Sequence, residues 1–127
     1  MNDQKKLVVL GSTGSVGKQT MDVAARHALP VLAIGAASNI TLLEEQIRAF
    51  SPRYCAVLDP EAARTLAGRV ADTSTRVLSG AEAFIELATL PEADLVLNSV
   101  MGSAGVHPTI AASKIIADEW LKVFRKI

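Results

Sequence analysis

The sequence is poor in cysteine, carries no excess of charge of either sign and lacks any long apolar run. Its single cysteine, Cys55, excludes an internal disulfide framework and a Cys-rich metal site, and points to a reducing, cytoplasmic compartment. Thirteen basic side chains balance thirteen acidic ones. No face or tail concentrates the Lys and Arg that neutralise phosphates, so a nucleic-acid partner is not expected. The longest apolar stretches, at 7–10 and 30–37, fall well short of the ~20 residues that cross a bilayer, so no membrane partner is expected either. Six residues, all but Met1 polar, precede the first apolar run, too few for a signal or transit peptide. A hydrophobic content of 50% argues against disorder, and 127 residues suit one domain with a single core.

What is present is an alternation of two periodicities. Leu7–Leu10 is an unbroken apolar run stopped by Gly11, the pattern of a strand buried on both faces in a parallel sheet. Helical spacing follows over 16–28 through Met21, Ala24, Ala25 and Ala28, and Pro30 blocks its extension. A second buried-type strand reads at 31–34. Thr41 and Glu44 form a capping box that opens a helix carrying Leu42, Leu43, Ile47 and Phe50 inward. A third strand reads at 54–58, then Asp59-Pro60 as cap and first helical residue of a helix through Ala71, a short strand at 76–78, a helix at 81–90 and a strong strand at 94–100. Strands separated by helices of this length pair in parallel through right-handed crossovers. The expected fold class is therefore α/β, with a doubly wound, mostly parallel sheet.

Between the first strand and the first helix lies Gly11-Ser12-Thr13-Gly14-Ser15-Val16-Gly17. Gly11 supplies the backbone angles for leaving the strand, Gly14 lets main chain approach a pyrophosphate, and Gly17 lets the helix pack on the sheet. The amides of Ser15, Val16 and Gly17 fall at a helix N-terminus, which favours an anion, and the hydroxyls of Ser12, Thr13 and Ser15 offer further donors. The spacing is one residue wider than the commonest dinucleotide fingerprint and lacks the Gly-Lys-Ser/Thr of a P-loop. Two readings are open: a tight turn and nothing more, or a Rossmann-like dinucleotide cradle, which is preferred.

An NAD site places an acidic residue after the second strand to accept the ribose hydroxyls. Between Asp22 and Glu44 there is no carboxylate, and the second strand runs instead into Gly35-Ala36-Ala37-Ser38-Asn39. A neutral turn tolerates a 2′-phosphate that an acid would repel, which favours NADP, with Ser38 and Asn39 as donors. The plainer reading of Ser38 and Asn39 is a lead-in to the next helix.

Three segments, GSTGSVG at 11–17, AASNITLLEEQIRAFSPRYCAVLD at 36–59 and NSVMGSAGVHPTIAA at 98–112, together resemble the 1-deoxy-D-xylulose 5-phosphate reductoisomerase family, over residues 7 to about 112. The resemblance implies an NADPH-binding domain at 1–112, with Thr13, Gly14, Ser15, Val16, Ala37, Ser38 and Asn39 at the cofactor. It implies a loop at 101–105 on the nicotinamide side. In the family, a divalent metal, Mg or Mn, and a sugar-phosphate substrate belong to the full-length enzyme, which isomerises and reduces the ketose phosphate to 2-C-methyl-D-erythritol 4-phosphate in isoprenoid precursor synthesis. This chain departs from the family in having Ala37-Ser38-Asn39 where Gly-Lys-Asn is common.

After Ala112 the resemblance stops. Ile116, Trp120, Val123, Phe124 and Ile127 recur at helical spacing, so 113–127 reads as a divergent amphipathic helix of the same domain. With no strand read after Val100, the sheet is expected to end in an unpaired edge. Asp118 and Glu119 point different ways on such a helix and make a poor chelating pair. His27 and His107 read as surface or capping residues, Cys55 as a buried inert thiol, Ser103 as a small spacer and Trp120 as an anchor. No catalytic and no metal-ligating residue is assigned. The reading is thus an NADPH-binding portion of a reductoisomerase, inactive alone, in which a homodimer is possible. The alternatives are a nucleotide-binding or interaction module without catalysis, and a piece of another NADP-linked reductase such as a semialdehyde dehydrogenase.

Overall fold

A computed structural model of the chain describes residues 5–99 and, as backbone, residues 115–116. In chain order the elements are β1 (Leu7–Leu10), α1 (Ser15–Arg26), β2 (Val31–Ala36), α2 (Ile40–Phe50), β3 (Tyr54–Val57), α3 (Pro60–Arg69), β4 (Arg76–Ser79), α4 (Ala81–Ala88), β5 (Leu95–Asn98) and β6 (Ile115–Ile116). The strands form one six-stranded sheet ordered β4-β3-β2-β1-β5-β6, and every neighbouring pair is parallel. This is the doubly wound, Rossmann-like α/β fold expected from the alternation.

The unbroken apolar run of β1 is explained by what lies on its two sides. Leu7 and Val9 join a cluster with Met21 and Ala24 of α1, Leu43 and Ile47 of α2, and Ala63 and Leu66 of α3. Val8 and Leu10 join a second cluster with Ala83, Phe84, Leu87 and Ala88 of α4. Helices on both faces leave no polar side for the strand to present, and each fully buried Leu, Val or Phe adds roughly 1.5–3 kcal/mol before entropy is counted. Phe84 stands against Gly35 of β2: a Cβ at that position would lie 3.1 Å from the ring and 3.2 Å from the carbonyl oxygen of Ala56.

From β1 the chain winds outward to β4, then crosses back to place β5 on the other side of β1. In open α/β sheets a crevice forms outside the carboxyl ends of the strands where the order reverses. Here that point lies at Leu10 and its β5 partner Asn98, directly before the glycine turn.

Three sequence expectations are corrected. First, α2 does not open with a Thr41 cap. It begins at Ile40 with Asn39 as N-cap, whose Oδ1 accepts from the Leu42 amide at 3.2 Å, in line with the stronger capping preference of Asn over Thr. Second, β2 continues past Ile34 through Gly35 and Ala36, because the pairings Leu10↔Gly35 and Ala36↔Val57 extend the ladder on both sides. Third, Ile115 and Ile116 form a strand rather than helix. They pair in parallel with Leu97 and Asn98, so the outer edge of β5 is covered. Short apolar runs fit either period, and a β-branched pair beside an open parallel edge gains a ladder that a helix would forgo. The rest of the helix read at 113–127 lies outside the described residues, as do the loop at 101–105, Ser103, His107, Asp118, Glu119 and Trp120. Among the described residues no helix is long and apolar enough to cross a membrane.

Candidate functional site

The glycine turn is held from three directions. From β2, the carbonyl oxygen of Gly35 accepts from both the Gly11 amide at 2.7 Å and the Ser12 amide at 3.0 Å. From the end of β5, the Ser99 amide donates to the Leu10 carbonyl at 2.9 Å, and the Ser99 hydroxyl donates to the Leu10 and Gly11 carbonyls at 3.1 and 3.4 Å. From α2, Gln46 grips Ser12: the Ser12 hydroxyl donates to Gln46 Oε1 at 2.7 Å, and Gln46 Nε2 donates to the Ser12 carbonyl at 2.9 Å. Within the turn, the Gly14 amide donates to the Gly11 carbonyl at 3.1 Å.

The three glycines of the turn differ in what they answer to. Gly11 has φ 96°, a left-handed angle that other residues adopt only at a cost. A Cβ on Gly17 would sit 1.9 Å from the Gly11 carbonyl oxygen, so the absence of a side chain there is what lets α1 start against the strand end. Gly14 has an ordinary φ of −83°, and a Cβ on it would meet its nearest neighbour, the Gly11 oxygen, at 3.6 Å, a normal contact. Neither backbone angle nor internal packing requires glycine at 14.

Gly14 is the N-cap of α1 and no side chain caps this helix. The first amides of a helix have no intrahelical acceptor, and here Ser15, Val16 and Gly17 carry them, with Gly14 and Ser15 exposed and Thr13 and Val16 partly so. The second turn lies beside the first. Ala37, Ser38 and Asn39 are exposed; the Asp59 amide donates to the Ala37 carbonyl at 3.1 Å and the Ile40 amide to the Ser38 carbonyl at 2.8 Å. The first turns of α1 and α2 contain no acidic residue. By contrast, α3 is capped by the Asp59 side chain and has Glu61 in its first turn. The first turns of α1 and α2 thus set no acid of their own against the positive end of the helix dipole, whereas that of α3 does.

The structure thus brings Thr13, Gly14, Ser15 and Val16 together with Ala37, Ser38 and Asn39 at neighbouring strand ends. It corrects one expectation within the turn: the Ser12 hydroxyl is no donor toward a ligand, being fully buried and committed to Gln46. Asn39 serves as the α2 cap through Oδ1, so only its amide nitrogen is left to face outward chemistry. Sequence reading missed Gln46, although a signal was there, a lone amide between Leu43 and Ile47 on the apolar face of α2. It also missed the clamp formed by Ser99.

Two other candidates have structural places in the fold. Cys55 is fully buried in β3, and burial pushes its thiol up to about 12, far from the range of a nucleophilic thiolate. His27 is the C-cap of α1. Among the described residues no three His, Cys, Asp or Glu side chains come together as a metal site.

Comparison with known proteins agrees with the fold. A family model described as 1-deoxy-D-xylulose 5-phosphate reductoisomerase matches residues 7–118, so the likeness to the family runs past Ala112, beyond the extent expected from the sequence. The reductoisomerase of Halothermothrix orenii is 46% identical over 111 residues, covering 86% of this chain and 29% of the relative. That of Nitrosomonas europaea is 42% identical over 118 residues, 90% of this chain and 29% of the relative. Among solved structures, DOX-P reductoisomerase in complex with magnesium superposes with a TM-score of 0.81 at 30% identity, over 89% of this chain and 30% of that one. The Zymomonas mobilis enzyme in complex with NADPH gives 0.80 at 28% identity, over 90% and 31%. The chain spans about 29% of the length of the curated relatives it matches. On the extent of the family match and the agreement of fold, this chain belongs to the 1-deoxy-D-xylulose 5-phosphate reductoisomerase family.

Proposed function

We propose that the chain from β1 through β6 is the NADPH-binding domain of a 1-deoxy-D-xylulose 5-phosphate reductoisomerase, reaching past the expected boundary at 112 because Ile115 and Ile116 belong to the same sheet, with Thr13, Gly14, Ser15 and Val16 receiving the pyrophosphate and Ala37, Ser38 and Asn39 the phosphorylated ribose. One observation carries the reading: at Gly14, the N-cap of α1, neither backbone angle nor packing requires glycine, and the absence of a side chain leaves the main chain at the head of α1 open to the close approach a pyrophosphate makes. The NADPH complex of a relative with the same fold supports it.

NADPH supplies a hydride donor when bound. The residues of this chain have a different task. The α1 amides and dipole attract the pyrophosphate and fix its place along the switch point. The Ala37, Ser38 and Asn39 turn, free of carboxylate side chains of its own, leaves room for the 2′-phosphate, with Ser38 as hydroxyl donor. Magnesium is present in a relative's structure, but the described residues of this chain offer no ligand set for it. The family's ketose-phosphate rearrangement and reduction, a homodimeric assembly and a cytoplasmic setting are proposed for the full-length protein, the last because a lone buried cysteine suits a reducing compartment.

Titration of the full chain with NADPH and NADH, followed by nucleotide fluorescence, tests the reading. Wild type is expected to bind NADPH, and more tightly than NADH. Gly14→Ala is expected to keep the fold, by circular dichroism, and to lose at least about tenfold in NADPH affinity, since a methyl group would displace the pyrophosphate from the amides. Equal binding by the two proteins would overturn it.

A further inference from the structure

We propose that Gln46 is a positioning residue of the cofactor site, locking the glycine turn in register with the turn at Ala37, Ser38 and Asn39. The proposal rests on the NADPH reading above and assigns to α2 a task that reading does not contain. Gln46 is 7% exposed and Ser12 is fully buried. Leu43 and Ile47, its neighbours on the same helix face, are core residues, so an apolar side chain at 46 would suit the packing equally well. A buried amide is tolerated only when its polar atoms are satisfied. Ser12 satisfies both ends, through Oε1 at 2.7 Å and Nε2 at 2.9 Å.

The pairing has one sense only. The Ser12 carbonyl can only accept, so Nε2 must face it, and Oε1 then takes the hydroxyl proton. Rotating the amide by half a turn would set oxygen against oxygen. Two bonds to one residue, one of them to its main-chain carbonyl, fix the orientation of the peptide that leads directly into Thr13. The same helix begins at Asn39, whose side chain caps it. At 1.5 Å per residue, Gln46 lies about 10 Å along α2 from that cap. The helix is thus a rigid strut with one end at the ribose turn and its middle pinned to the pyrophosphate turn. A ligand that contacts both turns needs their spacing held; a ligand that contacts one does not.

Gln46→Met keeps length and apolar volume and deletes both bonds. With this variant, NADPH affinity is expected to fall about tenfold or more, the scale of a small misplacement of binding groups, whereas adenosine 2′-monophosphate, which needs only the ribose turn, keeps its affinity within about twofold. Ser12→Ala keeps the Nε2 bond to the carbonyl and is expected to lose less, about threefold for NADPH, again with the monophosphate unaffected. Both are measured on the full chain below each variant's melting temperature. A Met variant that binds NADPH like wild type, or loses both ligands in equal proportion, overturns the proposal. Should that variant not fold, Ser12→Ala decides by the same two criteria. A wild-type protein that fails to bind NADPH overturns the cofactor reading itself and is a distinct result.

Discussion

Gly17 and Gly11 touch across the turn so closely that a Cβ on the first would stand 1.9 Å from the carbonyl oxygen of the second and 2.7 Å from the Cα of Ser12. The obstacle is backbone on every side, and this backbone is anchored by Gly35 and Ser99, so it cannot yield cheaply. Gly17→Ala is therefore expected to cost about 3 kcal/mol. For a chain of 127 residues that is a fall of roughly 11 °C in melting temperature. Gly14→Ala, three residues earlier, has no such clash and is expected to stay within about 1 kcal/mol of wild type. Thermal unfolding of the pair measures whether the two glycines divide as the geometry says, one for the fold and one for the ligand.

The turn at Ala37, Ser38 and Asn39 has no cation of its own to meet a 2′-phosphate. Replacing Ser38 by Lys adds one at an exposed position beside the α2 N-terminus. A single favourable charge at such a site is worth about 0.5–1 kcal/mol at low ionic strength. NADPH affinity is accordingly expected to rise about threefold, NADH affinity to change little, and the gain to shrink at 0.5 M salt. Titrations with the two nucleotides at two salt concentrations check all three outcomes.

These predictions lean on parts of the site that were unequally visible in the sequence. The strand, glycine turn and helix were legible because each imposes a local demand: Leu7–Leu10 must be buried on both faces, and the turn needs small residues at fixed places. The Thr41 and Glu44 signal misled because a capping box and an Asn cap two residues earlier fit the same stretch, and only the chain's path out of β2 chooses between them. Gln46 was passed over because its meaning is non-local. Its partner is 34 residues away, and no periodicity announces a hydrogen bond across a crossover. Ile115 and Ile116 went the wrong way for a related reason: whether two isoleucines extend a sheet depends on an open edge at Leu97 and Asn98, far back in the chain.

Cys55 gives a prediction about reactivity. Its thiol is fully buried, and burial holds its ionisation up at about 12, against an ordinary value of 9.0. Native protein is expected to resist thiol reagents at pH 8, with labelling at the rate of global opening and a sharp increase in denaturant. The same shift carries a pH dependence. Below pH 9 the thiol is protonated in both folded and unfolded chains and contributes no slope. Between about 9 and 12 the unfolded chain gives up its proton and the folded one keeps it, so this group makes stability fall as pH rises, by at most about 1.4 kcal/mol per pH unit. Cys55→Ala removes that slope from the alkaline limb, at a packing cost visible at neutral pH.

The last prediction concerns the tie between α2 and the end of α3. Arg48 donates to both carboxylate oxygens of Asp72, at 3.0 and 3.1 Å, to the Arg69 carbonyl at 3.0 Å and to Glu44 at 3.3 Å. The hydrogen bond from Arg48 holds the Asp72 carboxyl below its usual range, so the pair contributes fully above the ordinary carboxylate pKa of about 3.9 and is lost as pH falls through the lowered value. All partners are solvent-exposed or nearly so, and the effect is correspondingly small and screened by salt. Asp72→Asn is expected to lower the melting temperature slightly at pH 7, and that deficit is expected to shrink at acid pH as the wild-type carboxyl takes up its proton. The difference at pH 7 should also narrow at 1 M salt. A variant whose deficit persisted unchanged at pH 2 would show that Asp72 acts through packing or backbone contacts and not through its charge on Arg48.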